Sequence, residues 1–315
     1  MLNKVRPYVK LARFDHWIKQ AFILPGIVCA LALIGFEGYE FSLSAPRIAA
    51  GIIATCLIAS ANYVLNEWLD ARTDAYHPTK KYRPMVTQHL KLRWVVSEYL
   101  LFCAAGFALA LVTKSPTVLW LLVGLLAMGL LYNVPPIRLK EIAYIDVLSE
   151  SVNNAIRLLV GWFLIAVSTA PPVSIVFGYW MGGAFLMAAK RFAEYRMIGD
   201  ARQAGLYRKS FAHYSEKSLL ISAFFYALLA VFFCGIFMIK YKIELLLAVP
   251  FLCGLFCFYL YICYKPDSSA QRPEHLFAEK GLILYLVFFL VLLCVLMFVK
   301  IPALQVLLAP IAVGR

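Results

Sequence analysis

Residues 45–84 read APRIAAGIIATCLIASANYVLNEWLDARTDAYHPTKKYRP, and the reading of this stretch governs that of the whole chain. From Ala45 to Leu65 the run is predominantly apolar and uncharged apart from Arg47 near its start, and as a helix it is long enough to cross roughly 30 Å of hydrocarbon. If the helix continues, Asn66, Asp70 and Asp74 recur every four residues and stack on one face at the membrane surface. An amide and two carboxylates on one ridge are the hard oxygen donors that Mg²⁺ takes when it keeps several waters and substrate phosphates complete its shell. The basic segment HPTKKYRP follows at once, and its Lys80, Lys81 and Arg83 are placed to meet phosphate oxygens that a metal leaves uncovered. The pattern reads as a diphosphate site at the end of a membrane helix.

Composition points the same way. Hydrophobic residues make up 63% of 315 positions and charged residues only 15%, and the mean hydropathy is +0.79, all far from a soluble average. Runs long enough to span a bilayer occur nine times, at about 21–36, 45–65, 95–112, 116–132, 144–167, 172–189, 218–239, 243–264 and 281–299. The expectation is an all-α polytopic membrane protein of nine transmembrane helices, a single domain over residues 1–315. If the N-terminus is cytoplasmic, the N-terminal tail and the loops after the second, fourth, sixth and eighth runs hold 23 of the 30 Lys and Arg, against 6 on the other side. The positive-inside rule then places those loops in the cytoplasm of a cell with this protein in its inner membrane. Topology and anionic headgroups account for the net charge of +13, so nucleic acid is not expected as a partner.

All eight cysteines fall inside apolar runs, without metal-ligand spacing in a polar loop, and read as small buried hydrophobes. The first run follows five positive charges but offers no convincing small-residue cleavage site, so it is expected to be a retained helix.

The polar stretches near 70–93 and 190–217 are too short for an independent core yet longer than bundle connections usually are, which marks them as functional caps. Asp70 and Glu194 lie at comparable places in two successive four-helix groups, which suggests duplicated halves around one central cavity. In AAKRFAEYRMIGD, Lys190 and Glu194 share a helical ridge and Arg191 occupies the next; one carboxylate amid surplus cations, extended by Arg202, Arg208 and Lys209 in DARQAGLYRKS, reads as a phosphate surface rather than a second metal platform. The run at 144–167 carries Asp146, Glu150, Asn153, Asn154 and Arg157 as one polar stripe. Two readings of it stand open: it lines a wet cavity, with Arg157 and Asn153 facing substrate, or Glu150 and Arg157 form an internal ion pair that fixes helix packing. At the N-terminal edge, Trp17 reads as an interfacial anchor and Lys19, one turn deeper, as a phosphate contact or a topological charge. In LYNVPPIRLKEIAYID, Tyr132, Arg138 and Lys140 reach the same face, where the double proline breaks the helix.

These motifs together resemble the UbiA superfamily of intramembrane prenyl-type transferases: NEWLDARTD corresponds to its first Asn-x-x-x-Asp-x-x-x-Asp motif, followed by HPTKKYRP, YNVPPIRLK and the helix of Arg157, over about residues 13–299. The resemblance implies a helical bundle with a central cavity open to lipid, cytoplasmic caps, and Mg²⁺ on Asn66, Asp70 and Asp74. It departs from members that prenylate aromatic rings or haem, which carry a second aspartate-rich motif where this chain has Lys190, Arg191 and Glu194. HWIKQ, KRFAEYR and YRKSFAHY resemble instead the branch that moves phosphoribose from phosphoribosyl pyrophosphate to a polyprenyl phosphate lipid. A donor with phosphate at both ends of a ribose needs one metal-carboxylate clamp and one cationic pocket; Lys190 and Arg191, with Lys19, would form the second. The acceptor is already an anion and needs no strong base, so His77 and His89 are expected to be loop residues, His77 set in a turn by Pro78. Prenyl transfer to an aromatic or other small acceptor is the competing enzyme reading, and a transporter the reading from another class.

Overall fold

The structure is a computed structural model that describes residues 2–35, 41–88, 90–265, 268–271 and 278–307. His89 lies outside the described residues. Helix α1 (Leu2–Leu11) is followed by a 3-10 segment, Phe14–Ile23, that runs directly into α2 (Leu24–Ile34). Next come α3 (Phe41–Asp74), a single turn α4 (Pro84–Thr87), α5 (Leu92–Val112) and α6 (Pro116–Asn133). The second half holds α7 (Ile145–Ile165), α8 (Val173–Ile198), the short α9 (Ala201–Tyr207), α10 (Glu216–Tyr241), α11 (Val249–Tyr264), α12 (Lys280–Phe298) and α13 (Pro302–Leu307). No strand occurs among the described residues.

Eight segments are long and apolar enough to cross a membrane. The run at 144–167 folds into α7 as expected, but Asp146, Glu150 and Arg157 set it apart in composition, so length and hydropathy support eight spans among the described residues where nine were expected. The reason α7 tolerates its polar stripe is its position. It packs against α2, α3, α6 and α8 together with the 3-10 segment, so its charges face protein and cavity rather than lipid.

Two glycines make that central packing possible. A Cβ on Gly26 of α2 would collide with the carbonyl of Leu158, and one on Gly161 of α7 would collide with the carbonyl of Ile23. The two backbones therefore touch, in the manner of small-residue contacts in membrane bundles. This contact makes the first run an integral helix of the bundle, and it presses the 3-10 segment, with Trp17, Lys19 and Gln20, against α3 and α7. Trp17 is more than the interfacial anchor expected: its Nε1 donates to Ser60 Oγ on α3 at 2.9 Å, and Ser60 donates to the Ala12 carbonyl at 2.8 Å.

Helices α3 and α8 decide where the polar residues stand. At 34 residues α3 is about 50 Å long at 1.5 Å per residue, well beyond the hydrocarbon thickness. The 26-residue α8 continues nine positions past the apolar run that ends at Ala189. Both carry a charged ridge out of the bundle on the same side. α8 stops at Gly199, whose φ of 70° is a left-handed conformation that favours glycine. Asp200 then caps α9 by accepting from Gln203 N at 2.6 Å, which turns the chain back over the helix ends.

The cysteines are all free, as expected, and Cys56 and Cys263 are buried. Cys253, Cys257 and Cys294 are exposed, which corrects the expectation that all are buried. They sit on outer faces of α11 and α12, where lipid takes the place of protein.

Candidate active site

One cavity of about 460 Å³ lies between the extended ends of α3 and α8, the inner face of α7 and the 3-10 segment, a size in the range of small-molecule sites. Eight Lys and Arg line it against four carboxylates, a balance that favours a polyanionic ligand.

On the α3 side, Asn66, Asp70 and Asp74 all face the cavity, so the helix does continue through NEWLDARTD and the four-residue spacing becomes a ridge. Asp70 is held from behind by the loop after α6: Arg138 Nη2 lies 3.0 Å from Oδ1, and the Lys140 ammonium binds the same oxygen. Asn66 donates to Asp70 Oδ2 at 3.2 Å and to Asn133 Oδ1 at 2.5 Å, and Lys140 also donates to Asn133 Oδ1 at 2.9 Å. Burial pulls the Lys140 ammonium down to about 8, against the attraction of Asp70. Arg138 adopts a φ of 35°, in the left-handed region disfavoured for a residue with a Cβ. Asp74 is bound by Arg83 at 2.7 Å, and Arg83 also lies 3.7 Å from Glu67. Burial works against the Arg83 charge, but Asp74 and Glu67 overcome it and hold the guanidinium above its ordinary range.

Across the cavity, Glu194 is saturated. Lys80 donates to it at 2.5 Å, Tyr207 at 3.2 Å, His77 Nε2 lies 3.2 Å away and Arg191 Nη1 3.5 Å. Lys80 also donates to Tyr207. Arg191 divides its charge further, with Nε 3.2 Å from Asp146 and Nη2 donating to Tyr132 at 2.9 Å. Asp146 in turn accepts from Tyr214 at 2.7 Å. Lys190, by contrast, has no hydrogen bond or ion pair among the described residues.

Deeper in, Arg157 donates from Nε to Gln20 Oε1 at 2.8 Å and from Nη1 to Asn154 Oδ1 at 3.1 Å. It makes no ion pair with Glu150, and Glu150, Asn153, Asn154 and Arg157 all line the cavity. Lys19 lies 2.9 Å from His16 Nδ1 and meets no carboxylate. The 3-10 segment thus adds a further cation, Lys19, to the cavity that Lys190 lines.

The match to known proteins agrees with this architecture. Residues 23–279 match the UbiA prenyltransferase family. The chain belongs to that family. A decaprenyl-phosphate phosphoribosyltransferase of Mycolicibacterium smegmatis is 27% identical over 222 residues, 69% of this chain and 65% of that protein, so the match spans just under two thirds of the relative. The protein of the same name from Mycobacterium tuberculosis H37Rv is 29% identical over 69% of this chain and 68% of its own. A protoheme IX farnesyltransferase of Oceanobacillus iheyensis is 28% identical over 62% of this chain and 64% of its own. A UbiA homologue from Archaeoglobus fulgidus, solved with GPP and Mg²⁺, has the same fold, with a TM-score of 0.67 at 17% identity over 91% of this chain and 99% of that one.

Against the UbiA motifs, most expected residues come together on the cavity: Lys19, Lys80, Arg83 and Tyr132 line it with Asn153 and Arg157, and Lys190, Arg191 and Glu194 face the α3 ridge. Arg138 and Lys140 line a smaller adjoining cavity of about 70 Å³ that shares Asp70, so they reach the carboxylate from its far side. Lys81 is not brought to the cavity; it is exposed, with its ammonium 5.2 Å from the centre of the Tyr82 ring. Its neighbour Lys80 turns inward because the short 3-10 turn at 80–82 points successive side chains in different directions.

His77 and Tyr207 were not read from sequence as part of the site, whereas Arg208, read as part of the basic surface after Glu194, does line the cavity. His77 does sit in a turn, its Nδ1 accepting from Thr79 N at 3.2 Å and Lys80 N at 3.1 Å, but it is buried and faces Glu194. Burial holds its imidazole below the ordinary value, with Glu194 acting in the opposite sense. Tyr207 and Arg208 come from α9 and its end; Arg208 Nη1 donates to Tyr132 at 3.1 Å. For Tyr207 the available signal was its place beside Arg208 in GLYRKS.

The donor set fits a hard divalent ion. Asn66, Asp70 and Asp74 line the cavity and carry the oxygen donors such an ion takes, while among the described residues no group of three or more His, Cys, Asp or Glu side chains could hold a metal by itself. A site of this type is completed by substrate oxygens.

Proposed function

We propose that the protein is a Mg²⁺-dependent membrane transferase that moves a 5-phosphoribosyl group from phosphoribosyl pyrophosphate to a polyprenyl phosphate lipid, releasing diphosphate. The observation that carries this reading is the inequality of the two helix ends. The α3 end brings two carboxylates and an amide to the cavity, whereas the α8 end brings one carboxylate, Glu194, shared by Lys80, Arg191 and His77, with Lys190 beside it outside any ion pair among the described residues. One end suits a metal-bound diphosphate and the other a bare phosphate.

Held by Asn66, Asp70 and Asp74, Mg²⁺ would supply charge neutralisation for the leaving diphosphate. Arg83, bound to Asp74, flanks the same position and would meet its remaining oxygens, while Lys80 stands across the cavity on Glu194. Lys190 and Lys19 would hold the 5-phosphate, with Arg157 on the wall between. Arg191 acts chiefly by fixing Tyr132 and Glu194. An oxygen of the lipid phosphate bonds to the anomeric carbon as the bond from that carbon to diphosphate breaks. The attacking oxygen carries no proton that must be removed, so no general base is required. This agrees with His77, whose Nδ1 is occupied by two backbone N–H groups. Phe22, Leu186, Met187 and Tyr259 give the cavity an apolar portion suited to the first isoprene units. The distribution of Lys and Arg supports an inner-membrane protein whose N-terminus and cap loops lie in the cytoplasm, on the side of the soluble donor.

The test is a pair of assays on purified protein: polyprenyl phosphate with labelled phosphoribosyl pyrophosphate, and prenyl diphosphate with an aromatic acid. Lipid-linked label from the first pair is the expected result. Product from the second pair alone would replace this reading with prenyl transfer, the activity named for the farnesyltransferase relative.

A further inference from the structure

Four carboxylates line the cavity, and three of them are neutralised: Asp70 by Arg138 and Lys140, Asp74 by Arg83, and Glu194 by Lys80. Glu150 is different. It faces the same cavity from α7, yet it has neither an ion pair nor a hydrogen bond among the described residues. The nearest cation along its own stripe, Arg157, is turned away to Gln20 and Asn154. Asn153, on the next turn, also lines the cavity, and its Oδ1 is buried with no donor. An otherwise cationic cavity therefore contains a patch of acceptors waiting for donors.

The chemistry of the missing donor can be argued by elimination. Phosphate oxygens are themselves acceptors and are repelled by a carboxylate. An isoprenoid chain offers neither donor nor charge. Water can solvate a carboxylate, but a ligand that fills the cavity displaces it and must replace its hydrogen bonds. Among the parts of a phosphoribosyl donor, only the sugar hydroxyls donate, and the two oxygens of one carboxylate suit a vicinal pair of them.

Resting on the phosphoribosyl reading above, we infer that Glu150, with Asn153 beside it, recognises the ribose of the donor by accepting hydrogen bonds from its 2- and 3-hydroxyls. Glu150 is then the residue that makes the cavity select a sugar phosphate, while the cations on either side recognise only charge. It touches substrate away from the bonds that form and break, so its effect is on selectivity between donors.

The experiment compares phosphoribosyl pyrophosphate with its 2-deoxy analogue in wild-type protein, Glu150→Gln and Glu150→Ala. Donor affinity is measured without lipid acceptor, and kcat/KM with it. Intrinsic reactivity differs between the two donors, so the readout is the ratio of donors in each protein, where that difference cancels. Wild type should prefer the 2-hydroxyl donor by about 10- to 100-fold in affinity, the worth of one charge-assisted hydrogen bond. Glu150→Ala should lose most of that preference, and the isosteric Glu150→Gln should fall between. Neither variant should melt more than a few degrees below wild type, because Glu150 holds no ion pair or hydrogen bond among the described residues and acts on Lys19 and Lys190 only through space. An unchanged preference in both variants would overturn the inference, as would an equal loss on both donors, which would mark a general electrostatic role. If wild-type protein transfers from a prenyl diphosphate and not from phosphoribosyl pyrophosphate, the functional reading itself fails, and that outcome is visible before any variant is made.

Discussion

Replacing Arg157 with alanine separates a substrate-facing cation from a packing ion pair. In the structure the guanidinium donates to two neutral acceptors, Gln20 Oε1 at 2.8 Å and Asn154 Oδ1 at 3.1 Å, and pairs with no carboxylate. Truncation leaves one buried acceptor, Gln20, without its donor, at a cost of about 1–3 kcal/mol. Asn154 can turn toward the cavity. Breaking a buried ion pair would instead cost about 3–5 kcal/mol, because an uncompensated charge stays behind. For a chain of this size the smaller loss corresponds to a fall in Tm of a few degrees. Activity should drop further, by about 10- to 100-fold in kcat/KM, if the guanidinium meets a phosphate in the cavity. Melting in detergent and turnover are to be measured on Arg157→Ala, Gln20→Ala and the double variant. The two single effects on stability should be clearly non-additive, since they remove the same bond. The reasoning is refuted if Arg157→Ala loses ten degrees or more and Glu150→Gln restores both stability and activity, for that would mean the two charges neutralise one another.

Three further outcomes follow from the same contacts. Asp74→Ala should lower turnover by several orders of magnitude, as should excess chelator, with modest loss of stability because Arg83 keeps Glu67 nearby; Asp70→Ala should also destabilise, since Lys140 and Arg138 lose their carboxylate, so activity in either variant near the wild-type level would remove the metal assignment. Lys190→Gln should raise the KM for phosphoribosyl pyrophosphate without changing Tm, whereas Arg191→Gln should lower Tm because Asp146 and Glu194 lose a partner; equal melting points in these two variants would contradict the difference in pairing. The third concerns acid. Because His77 is held below its unfolded value of 6.5, its contribution is fully present above that value and is lost as the pH falls toward the folded-state pKa, since the unfolded chain binds the proton first. His77→Gln should therefore flatten part of the fall in Tm between pH 7 and 5, and a variant with an unchanged or steeper profile would speak against it.

The periodic features were readable without coordinates because they are local. Asn66, Asp70 and Asp74 share a face in any α-helix, and only continuation of α3 was needed to place them on the cavity. The apolar runs located the helices for a similar reason, since bilayer thickness constrains length. What could not be read was the choice among partners. Glu150 and Arg157 are seven residues apart, about 10 Å along a helix axis, and their pairing looked as reasonable as any. Gln20 wins Arg157 because Gly26 and Gly161 let α2 and α7 approach until their backbones touch, which brings the 3-10 segment within reach. That contact joins residues more than a hundred positions apart, and no periodicity within either segment encodes it. The same holds for Asp70, whose cations arrive from the loop after α6. The polar stripe of α7 was legible, but its charges also obscure whether it spans.

The cross-ties between the two caps explain why similar helix ends acquire opposite chemistry. The segment after α3 folds across the cavity and lays His77 and Lys80 on Glu194 of α8. The segment after α8 folds the other way, with Tyr207 bonded to Lys80 and Arg208 to Tyr132. Each cap is therefore anchored on the opposite half. Glu194 serves as the anchor for the first cap, and a carboxylate already shared by two or three cations has little charge left for a metal. The α3 carboxylates have cations too, but these come from behind or from one side, and the ridge still opens onto the cavity. Lys190, one turn before Glu194, is freed by the same arrangement, because the carboxylate that would have paired with it at four-residue spacing is claimed from across the cavity. On the proposed reading, a metal-binding end and a phosphate-binding end arise from one arrangement, in which the loop that closes the site also decides which acid remains available.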